Sequence, residues 1–180
     1  MHVSATADDT HQLGRRLAAE LVAGDLVVLT GPLGAGKTVF VQGIAAGLAV
    51  LGPVTSPTFV IARVHRPDPT RGGRLPLVHV DAYRLAGSAD PLGDVDALDL
   101  DASLADSVTV VEWGEGLVEQ LAGAYLHVCL DRRDDDSRVV IMNPQGTGRW
   151  PARPAGAGGA DGAGRADGAG GLDAAAGSVG

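Results

Sequence analysis

The residues with the clearest chemical potential form one short run, Gly31-Pro32-Leu33-Gly34-Ala35-Gly36-Lys37-Thr38. It satisfies every fixed position of the pattern G-x-x-x-x-G-K-[ST]. Glycines let a backbone curl so that successive N–H groups converge on an anion. Gly31, Leu33, Gly34, Ala35 and Gly36 are therefore expected to cradle phosphate oxygens with the main chain. A helix opening at the end of the loop adds the positive end of its dipole. The Lys37 ammonium is expected to reach the β- and γ-phosphates, and the Thr38 hydroxyl to coordinate Mg²⁺. Lys37 is the only lysine in the chain, all other cationic side chains being arginine or histidine. The chemistry this predicts is binding of ATP with Mg²⁺.

Two acids come next. Asp81 closes the run Leu77-Val78-His79-Val80, and Glu112 closes Val108-Thr109-Val110-Val111. An isolated acid at the end of an apolar strand is most simply a solvated carboxylate. Two of them in a chain with a P-loop point to the nucleotide site, where such groups hold the metal or orient the attacking water. Glu112 is read as the Mg²⁺-side carboxylate, together with Thr38, and Asp81 as the acid that positions or activates water. A hydroxyl-rich segment, Thr55-Ser56-Pro57-Thr58-Phe59, lies some 17 residues beyond Thr38. Its Thr55, Ser56 and Thr58 suit a switch-like loop that senses the γ-phosphate; an ordinary proline turn is the other reading of the spacing. Phe59, Tyr83 and Trp113 lie beside these motifs and are expected to fill space in the packing. The loop bearing Arg63, His65, Arg66, Arg71 and Arg74 reads as a contact surface or as a solvated loop.

These groups need a scaffold that brings them to one place. Leucines 13, 17 and 21 give Thr10 to Val22 one apolar helical face, with Asp8, Asp9 and Thr10 as caps or first-turn residues. Asp25 to Thr30 reads as a buried strand that runs straight into the glycine-rich loop, and Lys37 to Leu48 as the helix after it. A strand through Val64 follows, then a polar loop over 65–75. Leu77 to Asp81 and Val108 to Glu112 are two further buried strands. Residues 91–106 read as short helical pieces, and 124–130 with 138–142 as a hairpin around Asp134-Asp135-Asp136. The alternation predicts an α/β chain: a P-loop NTPase-like three-layer fold with a mixed, partly parallel central sheet. The strand-ending acids and the loop are expected at the carboxyl edge of the parallel strands.

Composition bounds the rest. The chain has 180 residues, 45% of them hydrophobic, and a formal charge of −8. No apolar run reaches the roughly 18 residues of a membrane span, and the first residues lack the features of a signal peptide, so a cytoplasmic location is expected. The single cysteine, Cys129, sits in an apolar–polar alternation and reads as a small packing residue. An acidic chain without clustered basic residues does not hold nucleic acid by itself, because phosphate contacts need Lys and Arg together. Residues 1–148 read as the P-loop ATPase domain. Residues 149–180, dominated by Gly and Ala, read as a disordered tail too poor in apolar side chains to offset its ordering entropy.

Taken together, G-P-L-G-A-G-K-T, T-S-P-T-F, H-V-D-A-Y-R-L and V-E-W-G-E closely resemble the TsaE (YjeE) family, and T-x-x-L-G at Thr10 to Gly14 resembles its first helix. The resemblance covers about residues 3 to 142. It implies a bacterial P-loop ATPase required for N6-threonylcarbamoyladenosine (t6A37) in tRNA. Such a protein acts on a complex of two partners, TsaB and TsaD, of which TsaD performs the transfer; ATP hydrolysis drives or resets that cycle, and tRNA is met through the partners. By motif match Lys37 and Thr38 go to phosphate and Mg²⁺, Thr55 to Phe59 to the switch-like loop, Asp81 to the Walker B-type acid, and Glu112-Trp113 to an acid–tryptophan pair near the metal. Two departures stand out. Val39 replaces a second threonine, and Asp134-Asp135-Asp136 replaces a Gly-Arg turn, which weighs against a cationic contact from that hairpin.

A small P-loop metabolite kinase is the competing enzyme, but the stretch 85–107 is acidic and has no arginine for a lid. A nucleotide-gated assembly factor without turnover would use the same residues. The tail reading carries its own test. Truncation after Arg149 is expected to leave the melting temperature and ATP affinity essentially unchanged; a drop of several degrees in a thermal melt would show that the tail docks.

Overall fold

A computed structural model describes residues 1–56, 62–98, 100 and 104–147. Pro57, Thr58 and Phe59 of the hydroxyl-rich segment, part of the helical region 91–106, and the tail 149–180 lie outside the described residues. The strands are β1 (His2–Ser4), β2 (Leu26–Thr30), β3 (Ala62–His65), β4 (Leu77–Asp81), β5 (Val108–Glu112), β6 (Ala124–Arg132) and β7 (Arg138–Gly146). The α-helices are α1 (Ala7–Ala18), α2 (Lys37–Leu48) and α3 (Pro91–Asp96). All seven strands form one mixed sheet in the order β1-β7-β6-β2-β5-β4-β3. Its centre, β6-β2-β5-β4, is parallel, and antiparallel pairs close both sides.

Local sequence explains the centre. β2 (Leu-Val-Val-Leu-Thr) and β5 are continuous apolar runs, as strands covered on both faces must be. Because side chains alternate across a strand, each run feeds two cores. Val27, Leu29, Val108, Val110 and Leu77 join α1 and α2 on one face. Leu26, Val28, Val111, Val78 and Val80 pack on the other face with Leu85, Val95 and Leu104. The same alternation puts His79 and Asp81 of β4 on the face that carries α1 and α2. No helix among the described residues is long and apolar enough to cross a membrane.

The first helix differs from the expected span. It begins at Ala7 with Thr6 as its N-cap, so Asp8 and Asp9 are first-turn residues, as one of the two readings had them, and not caps. Thr6 and Asp9 form a reciprocal capping box: the Asp9 N–H donates to Thr6 Oγ1 at 3.1 Å, and the Thr6 N–H donates to Asp9 Oδ2 at 2.9 Å. The helix ends at Ala18, although Leu21 is still buried in the same core, so the leucine spacing outlasts the helix. β1 has no counterpart in the sequence reading. The hairpin strands are longer than expected, pairing from Ala124↔Gly146 to Arg132↔Arg138.

Helices α1 and α2 touch backbone to backbone. A Cβ on Gly14 would stand 2.2 Å from the Phe40 carbonyl oxygen, and one on Gly43 would stand 2.0 Å from that of His11. Neither helix can be shifted without moving the start of α2, where the glycine-rich loop ends. Gly43→Ala is accordingly expected to cost about 1–3 kcal/mol or more, the usual range for overpacking. Gly123→Ala, where a Cβ meets nothing within 4 Å, is expected to be near neutral. Urea unfolding of the two variants checks the pair, and equal stabilities would show that the helices slide apart freely.

Candidate functional site

The glycine-rich loop joins β2 to α2 at the carboxyl edge of the parallel strands. Gly31 leaves β2 with φ +136°, and a Cβ there would lie 2.0 Å from the Leu130 carbonyl oxygen of β6. Gly34 and Gly36 also take positive φ, at +79° and +99°. The loop is pinned from inside by Ala35, which is fully buried in the α1–α2 core, while the Leu33 side chain is 91% exposed.

Lys37 opens α2 and is 5% exposed. Its ammonium donates to the carbonyl oxygens of Gly31 at 2.7 Å and Pro32 at 3.0 Å. It also stands 3.7 Å from the centroid of the Trp113 ring, a cation–π contact. Burial pushes the ammonium below the ordinary lysine range, and the carboxylates of Glu112 and Asp81 act in the opposite direction. Trp113 holds its ring there from a backbone with φ +61°, its N–H bonded to the Leu29 carbonyl at 3.1 Å. Tyr83 meets the ring edge-to-face at a centroid distance of 5.3 Å. The expectation that Tyr83 and Trp113 merely fill space is therefore too weak for Trp113, which is a partner of the lysine.

The acids meet as the register requires. Asp81 and Glu112 are direct partners across the parallel β4–β5 pair. Both are buried. The Thr38 hydroxyl, one residue into α2, lies 3.1 Å and 3.2 Å from the two Glu112 oxygens. His79 Nε2 lies 2.9 Å from Glu112 Oε1. Asp81 accepts the Ser56 hydroxyl at 3.0 Å on Oδ2 and the Tyr83 N–H at 3.0 Å on Oδ1. Ser56 thus ties the hydroxyl-rich segment to one strand-end acid. Thr55 accepts from Arg63 at 3.4 Å, while Thr58 lies outside the described residues. The amide of Gln42, on α2, anchors the approach to this segment by donating to the Val54 carbonyl at 2.9 Å.

Several of these residues escaped the sequence reading. His79 had a legible signal, its position two residues before Asp81 on the same strand face. Gln42 had none. The hairpin also brings more than its acidic turn suggested. Arg138 Nε lies 4.0 Å from where a Cβ on Gly36 would stand, and Arg132 Nη1 lies 3.9 Å from the equivalent point on Gly34. Arg132 is paired with Asp136. The three aspartates therefore do not keep cations from the loop, because arginines flank them on both strands. In the basic loop, Arg63, Arg66, Arg71 and Arg74 are exposed, but His65 is buried and leaves the surface. Desolvation, then His79 and Arg63, hold the His65 ring below its ordinary pKa.

Comparison with known proteins follows the same residues. Residues 4–140 match the family model described as threonylcarbamoyl adenosine biosynthesis protein TsaE. The chain is 56% identical over 139 residues to the tRNA threonylcarbamoyladenosine biosynthesis protein TsaE of Mycobacterium tuberculosis, covering 76% of this chain and 82% of that one. It is 56% identical over 142 residues to the protein of the same name from Streptomyces coelicolor, covering 77% and 92%. Among solved structures it resembles Bacillus subtilis YdiB with a TM-score of 0.60 at 30% identity, over 79% of this chain and 82% of that chain. The family-model match over residues 4–140 and the 56% identity to these relatives over most of their length place the chain in the TsaE family of threonylcarbamoyladenosine biosynthesis proteins.

Proposed function

We propose that this protein is a cytoplasmic P-loop ATPase of P-loop NTPase-like, three-layer fold. In this reading it binds ATP with Mg²⁺, and its hydrolysis drives or resets the TsaB–TsaD complex that makes t6A37 in tRNA. The observation that carries the reading is the convergence of Lys37, Thr38, Glu112, Asp81 and Ser56 at one sheet edge around a loop with three positive-φ glycines.

The donor set fits Mg²⁺. Thr38 and Glu112 offer a hydroxyl and a carboxylate already within 3.2 Å of one another, and Mg²⁺ takes oxygen ligands from one or two protein groups together with phosphates and water. Bound there, the ion would neutralise charge on the phosphates. The chain's own groups do the rest. The Lys37 ammonium exchanges two backbone carbonyls for phosphate oxygens, a gain because charge-assisted bonds are stronger than bonds to neutral acceptors. Ser56 and the Tyr83 N–H fix both Asp81 oxygens, so the carboxylate is oriented to position the attacking water. Arg132 and Arg138 border the loop at Gly34 and Gly36, where they suit a nucleotide's negative charge. The net charge of −8 supports tRNA being held by the partners rather than by this chain.

Lack of an arginine finger on the transferred phosphoryl group lowers the rate by about 10³–10⁵, and in this reading the partner complex supplies that cation. The isolated chain is therefore expected to hydrolyse ATP slowly, with a large increase on adding TsaB and TsaD and little from tRNA alone. Steady-state turnover measured in that order checks this; full-speed turnover by the isolated chain would count against it. Lys37→Ala is expected to weaken ATP binding about ten- to a hundredfold, the equivalent of one charge-assisted hydrogen bond. Unchanged affinity by calorimetry would overturn the site. Asp81→Asn should keep nucleotide binding and lose partner-stimulated hydrolysis, whereas Glu112→Ala should lose the Mg²⁺ dependence of binding. The reverse order would exchange the two roles.

A further inference from the structure

His79 is fully buried in the middle of β4, between Val78 and Val80, on the strand face that packs against α1 and α2. An apolar residue would suit that position: Leu77, two residues earlier on the same face, is part of the α1–α2 core. The ring instead leaves Nδ1 buried with no hydrogen-bond partner among the described residues. Buried polar atoms are rarely left so, and packing alone gives no reason to carry one here. The reason lies at the other ring nitrogen, 2.9 Å from Glu112 Oε1. An ionised carboxylate only accepts, so Nε2 carries the hydrogen in this bond.

We propose that His79 is a positioning residue for Glu112: its Nε2–H, delivered from the neighbouring strand, fixes the carboxylate so that its oxygens face the Thr38 hydroxyl. The inference rests on the Mg²⁺-nucleotide reading above and adds the group that orients the metal-side acid. Glu112 ends its strand, and a glutamate there has three side-chain torsions to settle. Thr38 contacts both oxygens but belongs to the same set of donors as Glu112 and does not restrain it independently. His79 does, because its own ring is locked by complete burial in a strand paired on both sides. Groups that orient a metal-binding side chain from behind commonly contribute ten- to a hundredfold to metal affinity.

The test separates orientation from packing. His79→Leu keeps the volume apolar and removes the donor. His79→Gln keeps a side-chain N–H that reaches as far as Nε2. Binding of a non-hydrolysable ATP analogue is measured by calorimetry across a Mg²⁺ titration and again in excess chelator. In His79→Leu the Mg²⁺ concentration for half-maximal effect is expected to rise about ten- to a hundredfold. In His79→Gln it is expected to stay within about threefold of the unsubstituted protein, and chelator-only affinity is expected to be the same for all three. In a Glu112→Gln background the His79→Leu change is expected to add nothing. Should His79→Leu not fold, His79→Asn, whose amide falls short of Glu112, takes its place with the same expectation. An unaltered Mg²⁺ dependence in the donor-less variant, or an equal loss in His79→Gln, overturns the inference alone. Absence of any Mg²⁺-dependent binding in the unsubstituted protein overturns it together with the reading on which it rests.

Discussion

The arrangement depends on one constraint, the parallel pairing of β2, β5 and β4. Parallel neighbours run the same way, so their carboxyl ends emerge together, and whatever follows each strand is delivered to a common edge. β2 releases the glycine-rich loop there, β5 ends in Glu112 and β4 ends in Asp81. The register makes the two acids lateral neighbours, and Glu112 also pairs with Leu29 of β2, one residue short of that strand's end. A slip of one residue in β4 would turn His79 and Asp81 to the opposite face. Val78 and Val80, buried together on the other face, oppose that slip, since both would have to change sides and His79 and Asp81 would enter their apolar core.

The second support is the α1–α2 contact. Helix α2 carries Lys37 and Thr38 in its first turn, so its axial position sets where both reach. Gly14 and Gly43 allow the two helix backbones to meet directly, and direct contact leaves less play than long side chains would. The capping box at Thr6 fixes the start of α1, which places Thr10 near Gly36 at the end of the loop. A cap on a helix without site residues thereby reaches the loop through three rigid steps.

Much of this was legible in the sequence because it lies in strong local patterns. β4, β5 and α2 appear with the expected bounds, since apolar runs closed by an acid, and a glycine-rich loop followed by an apolar helix, leave few alternatives. The pairing of Asp81 with Glu112 followed from topology. The misses have physical causes. β1 is three residues long and takes its structure from β7 rather than from its own pattern. The start of α1 was obscured by two aspartates inside the first turn, although Thr6 to Asp9 fits the box that caps it. Leu21 continued a helical spacing that the backbone had already abandoned. Trp113 was legible only as a neighbour of Glu112, and His79 only as a residue on the same strand face as Asp81. What each does depends on which group stands opposite, and that is tertiary information. The acidic turn misled in the other direction, because residue type was read without the strands that carry Arg132 and Arg138 past it.

The seating of Lys37 has a consequence for discrimination among anions. Its ammonium is not a bare charge facing water. Two carbonyls of its own loop and the face of Trp113 already satisfy it. An incoming anion is therefore judged by the surplus it offers over those three contacts. A singly charged or weakly basic anion offers little surplus, whereas a polyphosphate that also engages the loop's N–H groups offers several bonds at once. On the nucleotide reading proposed above, the same side chain that attracts phosphate acts as a threshold against small anions that an exposed lysine would bind.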